Sequence, residues 1–419
     1  MKMLKFLTAG FAVASAIQAA AVAEIGDVQV NTADDFVTVT YTLTEDAVVT
    51  ARFFAGGDWI DPKYVTLISG DLNKKVSATG SGEKRSIVWQ ARREDLPEAM
   101  RATYRDARVE LTAWAIKAPP PYMVVDLGEY GQPLTDVPHY YASKEEVPGG
   151  ITHADYKTKK LLLYKVPARQ QVWWMGCKSK IVDDEYRDNE RYHRVVFSDD
   201  YYLGVYPVTQ SQAKRLYNER CRDNKFWGDR THTPGEDDFR PTCGNGYDIY
   251  RGSTSTPDSA PTADSRLGRM RTRFGIDFDL PTEAQWEYAC RAGVENSYAY
   301  GGYRDNETNA WTAANSNYGD GDGQLTRPVD KWAPNAWGFY DMPGNVNEIC
   351  RDLLTEYSFT GGVPVLDPLG TNAEGKPVVR GGAYNQPVTS TRSPCRGAYP
   401  RNTTEWGVGV RLSCPAVAR

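Results

Sequence analysis

Alternation of apolar and polar positions dominates the first quarter of the chain. Asp35-Phe-Val-Thr-Val-Thr-Tyr-Thr-Leu43 repeats with a period of two and is rich in β-branched residues, the pattern of a half-buried strand. Val48–Phe54, Ser86–Trp89 and Arg108–Ala115 read the same way, punctuated by Gly56-Gly57 and Gly80-Ser81-Gly82. Several short strands over residues 24–117, with no cysteine and no polar cluster, predict a small all-β sandwich of immunoglobulin-like type. Its expected role is structural or adhesive.

Pro119-Pro120-Pro121 then interrupts the pattern. Three consecutive prolines favour an extended segment, so 118–159 reads as a proline-rich linker and connecting segment. From about Lys160 the texture changes to helix and strand signals separated by long polar loops, and 160–419 is expected to form a second domain. Thr209–Cys221 predicts a helix with Thr209 as N-cap. Pro281–Ala292 predicts another, with Pro281 in its first turn, Glu283 against the helix dipole and Gly293 as C-cap. Trp286 and Cys290 then share one face.

The N-terminus changes the picture of where the chain resides. Lys2 and Lys5 precede an apolar run over 6–16, and Ala21-Val22-Ala23 has small residues at the two positions a signal peptidase reads. Residues 1–23 are expected to be a signal peptide. A membrane anchor needs about 20 apolar residues, which neither this run nor any later one reaches. An exported protein with no transmembrane segment is expected, whether periplasmic, cell-surface or secreted.

Composition excludes some classes. The net charge is −5 with both signs interspersed, which gives no electrostatic footprint for nucleic acid. The four histidines, His139, His153, His193 and His232, are scattered and make no metal-binding spacing. All seven cysteines lie after residue 170, none in a CxxC pair, and an exported context permits disulfides.

Four segments carry the candidate chemistry. They are Tyr202-Leu-Gly-Val-Tyr-Pro-Val-Thr-Gln-Ser-Gln212, Leu280-Pro-Thr-Glu-Ala-Gln-Trp-Glu-Tyr-Ala-Cys-Arg-Ala-Gly293, Pro334-Asn-Ala-Trp-Gly-Phe-Tyr-Asp-Met-Pro-Gly-Asn-Val-Asn-Glu348 and Val379-Arg-Gly-Gly-Ala-Tyr384, closed by Gly407–Leu412. In this order, Lys160 to Cys414 resembles the formylglycine-generating enzyme family, also called the sulfatase-modifying factor family. The resemblance implies an α+β domain of C-type-lectin-like fold, rich in irregular loops.

The resemblance also places the expected chemistry. Active members carry two copper-binding cysteines just after the Gly-Gly-Ser motif, and soft thiolates suit Cu(I). In this chain the two positions are Gln386 and Thr391, and the serine is Ala383. Neither an amide nor a hydroxyl replaces a thiolate, so copper is not expected. Family positions imply that Cys290 and Cys395 form a disulfide, the alternative being two buried thiols. Another branch of the superfamily uses a three-histidine iron site, whose motif is missing from this sequence.

The resemblance further implies calcium, a hard cation with oxygen ligands. Side chains of Asp341 and Glu348 with carbonyls of Gly344 and Val346 match the family's calcium loop. Asn317, Asp320 and Asp322 offer a weaker second loop, which is equally a hairpin turn. The family's groove implies a binding surface of Tyr384, Asn385, Arg392, Arg396, Tyr399 and Trp406, of the residue types that carry hot-spot energy.

Without the thiols, the leading expectation is an exported family member that acts as a binding or structural module. Its partner would be a peptide, a glycan or an envelope protein. The alternative is an enzyme that oxidises a cysteine of a sulfatase-type substrate to formylglycine with another thiol such as Cys350, or one of altered chemistry.

Overall fold

The computed structural model describes residues 23–33, 35–132, 134, 138–178, 188–218, 239–242, 246–294, 308–316, 326–357, 362–372, 375–403, 405 and 407–419. The expected signal peptide, apart from Ala23, therefore lies outside the described residues.

Eight strands precede the proline run: β1 (Ile25–Ala33), β2 (Phe36–Leu43), β3 (Ala47–Ala55), β4 (Asp58–Trp59), β5 (Ile68–Gly70), β6 (Lys75–Val76), β7 (Arg85–Trp89) and β8 (Arg108–Ala115). They form two antiparallel sheets. One has the order β1-β2-β7-β5; in the other, β4, β6 and β8 all pair with β3. The period-two pattern does this work. Val37, Val39, Tyr41 and Leu43 of β2 point inward and meet Val49, Phe53 and Ala113 of the other sheet in one core around Trp89. A short helix, α1 (Glu98–Thr103), leads into β8.

The triple proline is docked rather than loose. The Tyr202 hydroxyl donates to the Pro120 carbonyl, and the Lys165 amide donates to the Pro121 carbonyl at 2.7 Å. The segment that follows supplies β9 (Tyr122–Asp126) and β10 (His139–Tyr141). Both join β11 (Lys160–Val166), β14 (Tyr201–Gly204) and β20 (Ser413–Pro415) in an antiparallel sheet of order β10-β9-β11-β14-β20. Tyr122–Asp126 and His139–Tyr141 are thus strands of this sheet rather than linker. Val124 and Val125 each lose their water on one face of it.

A three-stranded sheet contains β12 (Val172–Met175), β13 (His193–Val196) and β16 (Val365–Leu366). A four-stranded sheet of order β18-β17-β15-β19 is built from β15 (Asn347–Leu353), β17 (Pro377–Arg380), β18 (Gly397–Ala398) and β19 (Val408–Gly409). Four helices complete the described residues: α2 (Gln210–Tyr217), α3 (Tyr247–Arg251), α4 (Arg266–Phe274) and α5 (Glu283–Arg291). Thr209 and Thr282 close capping boxes with Gln212 and Gln285, which satisfy the first orphan amides of α2 and α5. Three details differ from expectation. Pro281 lies outside α5, just before its N-cap Thr282, rather than in its first turn. Helix α2 stops at Tyr217, where Asn218 turns left-handed at φ 58°. Ala292 takes the first left-handed position after α5, at φ 47°, with Gly293 next at φ 86°.

Candidate functional site: a buried ion-pair core beneath the Tyr384–Gln386 segment

Helix α5 is buried at every position except Gln285 and brings Glu283, Trp286 and Glu287 into the interior. The spacing of Glu283, Glu287 and Arg291, four residues apart, stacks their side chains on one face. Strands β15 and β17 lie against this helix and carry Glu348 and Arg380. Arg380 bridges both helix carboxylates, with Nε 3.1 Å from Glu283 Oε1 and Nη2 on Glu287 Oε2. Its Nη1 donates to the carbonyls of Ser393 and Cys395, both at 2.8 Å.

Arg396 makes a fork-to-fork pair with Glu283 at 2.6 and 2.7 Å and lies 4.0 Å over the Tyr357 ring. Arg392 pairs with the fully buried Glu190 at 2.7 and 3.1 Å. Arg411 pairs with Glu348, Nη2 to Oε1 at 2.7 Å and Nε to Oε2 at 2.9 Å, and donates to the carbonyls of Gly204, Val205 and Tyr340. Trp286 Nε1 donates to Glu348 Oε2 at 2.6 Å. Each carboxylate in this set has a guanidinium. Removing one partner would strand a charge in a low-dielectric interior.

Burial opposes the charge of Glu287, but Arg291 and Arg380 outweigh it and hold the carboxyl below its usual range. Asp352 is different: burial first, then the neighbouring Glu283, lift its carboxyl to about 7. It accepts the amides of Glu283 at 2.7 Å and Gly370 at 2.8 Å.

The expected calcium ligands lie together in one loop, yet they do not fit a calcium cage. Both oxygens of Glu348 are held by Arg411 and Trp286, and a dication beside that guanidinium would be repelled. Asp341 Oδ2 accepts the Asp330 amide at 2.9 Å, and burial raises its carboxyl to about 6. The Gly344 carbonyl accepts the Val346 amide. Cross-linking falls instead to Asn345, which is buried and left-handed at φ 66°. Its Oδ1 accepts the Arg327 amide at 2.9 Å, its Nδ2 donates to the Arg327 carbonyl at 3.1 Å, its amide donates to the Trp311 carbonyl at 2.8 Å and its carbonyl accepts the Tyr384 amide at 3.1 Å. Gly344 must be glycine: φ is 84°, and a Cβ would lie 2.8 Å from the Trp311 backbone. Asn317, Asp320 and Asp322 lie outside the described residues.

Of the six residues expected to form a binding surface, three of the five described ones are buried. Arg392 and Arg396 are buried in the ion pairs above, where carboxylate and carbonyl acceptors take up their N–H groups. Tyr384 is also buried. Asn385 and Tyr399 are half-buried. Trp406 lies outside the described residues. Of the two family thiol positions, Gln386 is half-buried and its Nε2 donates to the Tyr399 hydroxyl at 3.2 Å. Thr391 is buried and donates to the Val388 carbonyl at 2.6 Å.

The expected Cys290–Cys395 disulfide is not formed; both residues are buried thiols, and there is no disulfide among the described cysteines. Cys290 packs inside the α5 core with Cys350, Phe339 and Met342, while Cys395 sits in the loop whose carbonyl caps Arg380. Burial pushes the Cys290 thiol up to about 12, and those of Cys350 and Cys414 well above their ordinary range. Thiols so placed are poor sources of thiolate.

A sulfatase-modifying factor enzyme 1-like domain profile matches residues 165–414. The span exceeds half of the chain, and the chain belongs to that family. It is similar to the formylglycine-generating enzyme of Mus musculus, 35% identical over 112 residues that cover 25% of this chain and 30% of the relative. The formylglycine-generating enzyme of Streptomyces coelicolor is 36% identical over 115 residues, covering 25% of this chain and 35% of that protein. The chain thus spans about a third of the length of these relatives. Among solved structures, Treponema denticola variable protein 1 aligns over 61% of this chain and 95% of its own, at 18% identity and a TM-score of 0.48.

Proposed function

We propose that this chain is an exported sulfatase-modifying-factor-type protein without formylglycine-generating oxidase activity, acting as a binding module for another macromolecule. One observation carries the reading. Gln386 and Thr391 occupy the positions where active relatives place their two thiols, and the described thiols nearest in sequence to the candidate site, Cys350 and Cys395, are both buried. An amide bonded to a phenol and a hydroxyl bonded to a carbonyl offer Cu(I) no soft ligand.

Export is supported by the charged, apolar and small-residue order of the first 23 residues, and among the described residues no helix is long and apolar enough to cross a membrane. The order β1-β2-β7-β5 against β4-β3-β8 supports an immunoglobulin-like assignment for the first sandwich. Family membership supports a C-type-lectin-like arrangement for the second domain.

A copper(I) titration against a competing chelator tests the reading. The expected outcome is no stoichiometric tight binding and no oxidation of a cysteine-containing sulfatase peptide. A tight one-to-one copper site would sink it.

A further inference from the structure

The first sandwich ends one strand early. The immunoglobulin plan sets four strands, A-B-E-D, against three, C-F-G, and strand G, last in the chain, lies beside F. In this chain β1-β2-β7-β5 corresponds to the four, while β3 and β8 correspond to C and F. Among the described residues β8 pairs only with β3 and β1 only with β2, so the place beside β8 is open. The chain itself goes elsewhere. It leaves β8 through Pro119-Pro120-Pro121, which Tyr202 and Lys165 hold against the second domain, and its next strand, β9, joins that domain's sheet.

The side chains at this opening belong to a core that lacks a cover. Val30 of β1 lies directly opposite Val39 of β2 and shares its face. Val39 is fully buried, yet Val30 is 38% exposed. Val28, in the bulge after the left-handed Asp27, is 44% exposed. From the other sheet, Val109, Leu111 and Ala113 of β8 turn toward the same core. Strands β1 and β8 approach one another across the sandwich, and at one end Thr32 Oγ1 donates to the Arg105 carbonyl at 2.8 Å. Beyond that bond runs a seam with an unpaired strand edge and two uncovered valines. Such an edge is a template for another strand, and neither β1 nor β8 contains the lysine or proline that usually blunts one.

Charge narrows the choice of occupant. Arg108 and Glu110, the charged residues of β8, pair with each other at 2.9 Å, and residues 28–30 are uncharged. A neutral strand matches this edge, whereas a charged one would meet no free counter-charge there. Side chains alternate along a strand, so every second residue of the occupant faces the seam and should be apolar.

We propose that an extended strand of a partner protein, neutral and apolar at every second residue, fills the place beside β8, pairing with its edge and covering Val28 and Val30. The inference deepens the reading of the chain as a binding module and rests on it, and on the immunoglobulin assignment of the sandwich.

The full chain is titrated, by fluorescence anisotropy, with a labelled heptapeptide of alternating threonine and valine flanked by lysines. A peptide of the same composition with its valines contiguous is the control. Saturable binding of the alternating peptide is expected, about tenfold or more tighter than the control, with hydrogen exchange slowed over residues 108–115. Val30→Asp, at a position already exposed, should weaken binding about tenfold or more with thermal unfolding unchanged, and Val30→Thr should lie between. Phe36→Asp, on the outer face of the same hairpin, should bind as wild type does. Equal binding of the two peptides, or equal binding by wild type and both Val30 variants, would overturn the proposal. So would failure to saturate up to about 1 mM peptide, or exchange protection confined to other strands. Dimerisation of the free chain that Val30→Asp abolishes would also overturn it, by placing a second copy in the seam. The copper titration contains no peptide, so failure of the non-oxidase reading and failure of this site are recorded separately.

Discussion

At the scale of the residue, buried charge decides most of what can be tested. Glu348 was expected to hold calcium and instead neutralises Arg411. Glu348→Gln should cost ~3–5 kcal/mol, the usual penalty for stranding a buried charge. The loss should be the same in calcium and in chelator when urea unfolding is compared. A loss that appears only with calcium present would restore the metal reading. Asp352 gives a pH signature. Its folded carboxyl lies near 7, against ~3.9 in an unfolded chain. The native state therefore binds the extra proton between those values. The stability linked to it is complete below about pH 4 and lost as pH rises through about 7. Asp341, raised to about 6, adds to the same slope over a narrower window. Urea midpoints at pH 5 and pH 8 should differ more for wild type than for Asp352→Asn; an unchanged difference would refute the assignment.

At the scale of the element, local signals were read well where chemistry and period agreed. Alternation in 35–43 identifies β2, and Thr209 marks the start of α2, whereas α5 starts one residue later than Pro281 suggests, at the N-cap Thr282. Thr282→Ala should destabilise by about 1 kcal/mol in thermal unfolding, as loss of an N-cap does, with little change in the folded near-ultraviolet spectrum. Helix α4 was not anticipated. Ser265 caps it and Gly275 ends it at φ 65°, but four of its nine residues are arginine, which obscures the apolar stripe of Leu267, Met270 and Phe274. The segment after the triple proline reads as connection from sequence because β9 and β10 are short and lie apart in the chain. Pairing makes strands of them, β9 on β11 and β10 on β9.

At the scale of the whole molecule, the second domain is held by charge pairs and sheet pairing rather than by disulfides among its described cysteines. Alkylation of the denatured, unreduced protein should label Cys290 and Cys395 as thiols in a peptide map. A linked peptide containing both would contradict the structure. The two-sheet sandwich is also attached to the rest more closely than a linker implies. Val48 of β3 joins the core of the second domain, and Arg52 pairs with Glu146 at 3.1 Å. Tyr202→Phe, which removes the bond to Pro120, should lower stability by about 1 kcal/mol without abolishing folding, as read by urea denaturation.

The sequence by itself determined the family, the missing thiols at Gln386 and Thr391 and the two-sheet character of the first domain. These depend on residue identity, short-range order and a period of two, all of which are local. Tertiary structure alone decided the fate of the charges. Glu190 and Arg392 are two hundred and two positions apart in the chain and Glu283 and Arg396 one hundred and thirteen. No local pattern says that such residues will meet or that water will be excluded when they do. The same distance matters in the expected calcium loop, where Glu348 pairs with the guanidinium of Arg411, sixty-three positions away.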